Sequence, residues 1–153
     1  MNGLAKLAQL TGNWQGSNRL WLNPAEPFEE SHATATVAPV AQGKFVTLHY
    51  TWEQGGHPAD GLIVIGFNPS GGDVDVYWID SWHMGANYML LKGQTLAEGG
   101  IAVKGSYPAP DGPDWGWRIE IKPGQNEFHM LMYNIMPLGD EMLAVQATFT
   151  PRP

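Results

Sequence analysis

The segment Val74-Asp75-Val76-Tyr77-Trp78-Ile79-Asp80-Ser81-Trp82-His83 gathers the groups best suited to chemistry in this 153-residue chain. On an extended strand side chains alternate between two faces. Val74, Val76, Trp78, Asp80 and Trp82 therefore share one face, and Asp75, Tyr77, Ile79, Ser81 and His83 share the other. The first set is the more apolar and is expected to point inward, which leaves a carboxylate between tryptophans. Burial penalises the charged form of an acid, so such a group is a candidate for acid–base work or for orienting a ligand's polar end. The competing structural reading has Asp80 accepting backbone or indole hydrogen bonds near a rim and holding a loop, the usual fate of buried polar groups.

Other patterns are weaker. The histidines are His32, His49, His57, His83 and His129, with neither His-x-His nor His-Glu-x-x-His spacing, so no metal site is expected. His49 and His129 fall mid-strand, and His57 precedes Pro58 in an expected turn. Met130, Met132 and Met136 share a face with Phe128 and Asn134. Methionine is pliable enough to line a cavity for varied apolar ligands, and equally serves as core filler. Gly71-Gly72 lacks a following Gly-Lys-Ser/Thr, and Ser81 lacks a Gly-x-Ser-x-Gly elbow, so neither a phosphate cradle nor a nucleophilic serine is indicated.

The elements that would position these residues are strands. Charged residues make up 15% of the chain, against about 25% in typical domains, while Gly reaches 19, Pro 12 and Trp 7. This balance of turn-formers and aromatics indicates an all-β domain. Helical spacing occurs only at residues 2–9, where Leu4, Leu7 and Ala8 align, Asn2 can cap and Gly12 can terminate. About ten strands follow, near residues 13–22, 31–38, 44–53, 61–67, 74–82, 88–92, 101–107, 115–122, 127–136 and 142–150. Short Gly- and Pro-bearing connectors join them as hairpins. The tail Thr150-Pro151-Arg152-Pro153 reads as a frayed end. Alternation assigns inner faces to Trp115, Trp117, Ile119 and Ile121, to Leu143, Val145, Ala147 and Phe149, and to Ile101, Val103 and Tyr107. In the third and ninth strands both faces are partly apolar. There, either a dimer partner covers the outer face or the inner face is the mixed, ligand-facing one.

Closing the sheet removes its exposed edges, and a barrel of more than about eight strands tends to enclose a cavity. The expectation is one domain over 1–153, a helical cap at 1–12 and an antiparallel up-and-down barrel at 13–150. Net charge −7 and scattered basic residues argue against nucleic acid. No apolar run approaches a membrane span. With no cysteine, disulfides and thiol chemistry are excluded. Met1-Asn2-Gly3-Leu4 lacks the basic and apolar regions of a secretion signal, so a cytoplasmic address is expected.

Leu10-Thr11-Gly12-Asn13-Trp14-Gln15-Gly16, a helix running into a Gly-x-Trp strand, resembles the opening of lipocalins and other calycin barrels. There the tryptophan packs across the closed end. The chain more closely resembles an uncharacterised bacterial lipocalin-like family. Further similar features are Gly43-Lys44-Phe45-Val46, Asp60-Gly61 before a strand ending Gly66-Phe67-Asn68, and Trp78-Ile79-Asp80-Ser81 followed by Met and Gly. The resemblance spans roughly residues 4–150 and implies the fold. A weaker similarity is to nitrobindin-type haem barrels, which also start Gly-x-Trp-x-Gly, although Asn18 stands where they carry a second Gly.

The leading expectation is a barrel that binds a small apolar or aromatic molecule with one polar end, without a cofactor. Trp52, Trp78, Trp82, Met130 and Met132 would supply contact area, and Asp80, Tyr50 and Asn134 would orient the ligand. One alternative is a cofactor-free enzyme (isomerase, cyclase, decarboxylase or dehydratase) using Asp80 with His49 or a tyrosine. Another is a haem barrel using His129 or His49.

Overall fold

A computed structural model describes residues 3–68 and 73–153. The Asn2 cap and positions 69–72 of one expected turn lie outside the described residues. A short helix α1 (Gly3–Ala8) precedes β1 (Gly12–Leu20), β2 (Glu29–Val40), β3 (Phe45–Gln54), β4 (His57–Phe67), β5 (Asp73–Asp80), β6 (Met89–Thr95), β7 (Ile101–Tyr107), β8 (Trp115–Pro123), β9 (Phe128–Ile135) and β10 (Glu141–Pro151). Each strand pairs antiparallel with its sequence neighbours. β1 also pairs with β10, from Trp14↔Pro151 to Leu20↔Val145, which closes the barrel.

Several expected boundaries move. His57 and Pro58 open β4 rather than sitting in a turn, because Gly55 and Gly56, both at positive φ, make a two-residue hairpin turn on their own. The tail is not frayed: Pro151 pairs with Trp14, and Arg152 N donates to Asn13 O at 2.9 Å. β5 stops at Asp80, two residues short of Trp82.

The two ends of the barrel differ. At one end the connections are short, and α1 packs there with Leu7 buried; Leu4 and Ala8 lean on the core. Trp14 lies at this end too, its Nε1 donating to Leu10 O at 2.7 Å and its edge against Phe128 at 4.8 Å. At the other end the longest connections, 21–28, 81–88 and 108–114, gather around the mouth.

Between the ends the barrel is filled. Phe128 stacks on Phe149 near the helix, and Leu48, Ile63, Ile65, Val76, Leu91, Ile119 and Ile121 occupy the middle with almost no exposure. Large aromatics and branched aliphatics take much of the space that ten strands enclose, so the hollow expected inside the barrel opens at one end. The undecided faces are resolved: Val46, Leu48, Tyr50 and Trp52 point inward from β3, and Phe128, Met130 and Met132 from β9. The inner faces expected for β7 and β8 hold, and Val145, Ala147 and Phe149 of β10 are buried as expected. A register shift between Leu143 and Val145, however, pairs Leu143 with the outward Tyr133 and takes it off the inner row. On the outer wall, exposed apolar side chains concentrate on Tyr77, Ile79 and Leu90 of β5 and β6.

Candidate functional site

The site is built from three adjacent strands in register: Tyr50 of β3 faces Gly61 of β4, which faces Asp80 of β5. A Cβ at 61 would run into the Tyr50 ring, so glycine is what lets the phenol lie across β4 and reach Asp80. Tyr50 Oη donates to Asp80 Oδ2 at 2.6 Å and accepts from Trp78 Nε1 at 2.9 Å. Trp52 Nε1 makes a longer bond of 3.3 Å to the same carboxylate oxygen. Burial, reinforced by the neighbouring Asp80 carboxylate, holds Tyr50 well above the usual phenol range, so it stays a neutral donor.

The second oxygen of Asp80 turns the chain. Oδ1 accepts from the backbone N–H groups of Trp82 at 2.8 Å and His83 at 2.7 Å. An aspartate that captures the amides two and three residues ahead initiates a turn and ends the extended run. Two expectations are corrected as a result. Trp82 leaves the strand and stands at the mouth, 43% exposed. His83, expected on the outer face, folds inward among the indoles of Trp52, Trp78, Trp82 and Trp117 at ring separations of 4.8 to 5.9 Å. Burial there lowers the His83 pKa, with Asp80 opposing, and the ring is neutral at pH 7.

Above this floor opens a cavity of about 600 Å³ at the mouth. Trp78 and Trp117, stacked with an 8° interplanar angle, form one wall, and Trp82, His83, Tyr88 and Tyr107 contribute further rings. Of the residues expected to form a site, Trp78 and Trp82 line it. Tyr50, Trp52 and Asp80 form the network that carries it, with Asp80 only 2% exposed. Asn134 sits next door: its Oδ1 accepts from Tyr107 Oη at 2.5 Å, and both line a shallow groove of about 480 Å³ with Asp111 and Trp115. Met130 and Met132 do not reach the cavity wall; each is 1% exposed in the filled middle of the barrel. Sequence reasoning missed His83, Trp117, Tyr88 and Tyr107 as site residues. The detectable signal was the turn-forming run after Asp80, with Gly85 and Asn87 in it.

The histidines proposed as partners or ligands point elsewhere. His49, on the outer wall, pairs with Asp60 at 2.9 Å, and His129, also outside, contacts Thr148 and Glu127. Neither meets Asp80 or enters the lumen. Among the described residues no group of three or more His, Asp or Glu side chains is arranged to hold a metal, and no helix is long and apolar enough to cross a membrane.

Fold and site together define a closed ten-stranded antiparallel barrel, capped by a helix at one end and opening through an aromatic cavity at the other. The chain belongs to the family described as "Protein of unknown function (DUF1579)", which it matches over residues 4–151. No curated protein matches the sequence.

Proposed function

We propose that this protein is a lipocalin-like binding barrel that receives a small, largely apolar or aromatic molecule with one polar end at its open mouth. The observation that carries the reading is the cavity of about 600 Å³ walled by Trp78, Trp82, Trp117, Tyr88 and Tyr107. Small-molecule sites fall at roughly 300–1,000 Å³ and are lined mainly by apolar and aromatic groups with a few polar ones. Flat aromatic walls favour a flat guest, since offset stacking and edge contacts add to the gain from burial. Trp14, plugging the helix end, agrees with a lipocalin-like origin. The middle of the barrel is filled, so the guest sits in a cup at the mouth and not in a deep lumen.

Asp80 supports this reading over the enzyme alternative. A carboxylate offers about four acceptor positions, and four donors already occupy those of Asp80. It is a structural acceptor beneath the cup.

The test is a titration with naphthalene, indole and 2-naphthol, followed by tryptophan fluorescence and thermal denaturation. Saturable quenching is expected. At a ligand concentration about 100 times Kd, binding adds about 2.7 kcal/mol, or roughly 5–10 °C in Tm for a chain of this size. Trp82→Ala should weaken binding while leaving the fold intact. No saturable response to any of the three would overturn the proposal.

A further inference from the structure

Four tryptophans are buried among the described residues: Trp14, Trp52, Trp78 and Trp117. Three of their indole N–H groups have acceptors, namely Leu10 O, Asp80 and Tyr50 Oη. The fourth, Trp117 Nε1, has none, although Trp117 is only 7% exposed and lines the cavity. A buried donor without a partner is uncommon and costly, and it marks a place where an acceptor belongs. Beside it, 5.3 Å away between ring centroids, stands His83, whose ring nitrogens hydrogen-bond to no described residue.

The charge distribution narrows the class of acceptor. The cavity wall contains no Lys, Arg, Asp or Glu. The connections around the mouth carry Glu26, Asp111, Asp114 and Asp140 and no basic residue. The nearby arginines are already engaged: Arg19 with Glu30, and Arg118 with Glu120 and Glu141. An anion would therefore pass an acidic rim to reach a wall with no counter-charge, and an unpaired buried charge is strongly disfavoured. A cation would suit the rim and the ring faces, but it would leave the Trp117 N–H unmatched.

On the footing of the binding reading above, we propose that the ligand's polar end is an uncharged acceptor oxygen, a carbonyl or hydroxyl on an aromatic skeleton, received by Trp117 Nε1–H next to His83. Carboxylates and phosphates, the anionic ends of fatty acids and nucleotides, are refused.

The experiment compares four molecules sharing one ring system: naphthalene, 2-acetylnaphthalene, 2-naphthoate and N,N,N-trimethyl-2-naphthylammonium. Affinities are measured by calorimetry on the wild type and on Trp117→Phe. The ketone should bind about fivefold more tightly than the hydrocarbon, the increment of one hydrogen bond. It should bind at least about tenfold more tightly than the carboxylate. Trp117→Phe removes ring area from the wall and so weakens both ligands, but it should erase the ketone's advantage over the hydrocarbon. In the wild type, one indole N–H proton resonance should move downfield with the ketone and not with naphthalene, a readout that needs no variant. Tighter binding of the carboxylate or the ammonium, or a ketone preference that survives in Trp117→Phe, overturns the acceptor assignment while the binding reading stands. Equal binding of all four does the same. If none of the four binds, both proposals fall.

Discussion

Replacing glycine in a strand by alanine normally stabilises a protein, by roughly 0.5–1 kcal/mol, through the unfolded chain. Gly61→Ala should do the opposite here. The new methyl group would occupy space held by Tyr50 Oη and Cζ, so the phenol must swing away from Asp80. That loses the 2.6 Å bond to the carboxylate, a charge-assisted contact worth about 1.5–3 kcal/mol. It also strands the buried Trp78 N–H that Tyr50 accepts, at a cost of about 1–3 kcal/mol. Subtracting the glycine gain leaves a net loss of about 2–5 kcal/mol. For a chain of this size that is a fall in Tm of roughly 5–15 °C. Urea denaturation and calorimetry of Gly61→Ala, of Tyr50→Leu and of the double variant give a complete cycle. With the phenol already gone, adding the methyl group should cost less than about 1 kcal/mol, so the two changes are strongly non-additive. A Tm within a degree or two of wild type for Gly61→Ala, or additive losses in the double variant, would refute the proposed role of the Tyr50 bridge.

Asp80→Asn keeps one oxygen but turns an NH₂ group toward donors; it should cost about 2–4 kcal/mol and speed amide exchange at Trp82 and His83, read by hydrogen-exchange NMR. His83 folds with a lowered pKa, burial outweighing the opposing Asp80, so the unfolded chain binds the extra proton first. Its contribution is complete above the ordinary histidine value near 6.5 and is lost as pH falls below it. Urea midpoints at pH 7.5 and 5.5 should show this decline, and His83→Gln should flatten it. Glu141, held below its ordinary value by Arg118 hydrogen bonds, is a lowered carboxylate whose contribution disappears only below about pH 4.5; Arg118→Gln should reduce that later phase alone. Met132→Ala should destabilise the fold by about 2–5 kcal/mol as a core truncation, while leaving the affinity of the folded protein for naphthalene unchanged in calorimetry.

The barrel was readable because charges mark the outside of several strands. Arg118 and Lys122 on β8, and Lys104 on β7, leave only one face for burial. β9 carries no such marker, its outer row being His129, Leu131, Tyr133 and Ile135, and β3 carries only Glu53 at the far end of a row of Phe, Thr and His. Their inward rows follow from pairing: Met130 and Met132 stand between Ile121 and Ile119 of β8 and Ala147 and Val145 of β10. Asp80 was visible as a buried acid, and of its two readings the hydrogen-bonded loop holder is the one that its partners match. What period-two alternation could not reveal was the point where it stops. Two backbone bonds to one carboxylate oxygen end β5, and every assignment beyond that residue changes sides. Trp117 was placed inside correctly, yet its importance comes from a missing partner, which no linear pattern encodes.

The chain enters and leaves this barrel on the same side. Gly3 opens the helix that covers the closed end, and Arg152 is tied to Asn13 beside it. A tether, label or fused protein attached to either terminus therefore emerges opposite the aromatic cup. Anchored by a terminal tag to a sensor surface, the protein would present that cup to the solution, with its binding loops free of the support.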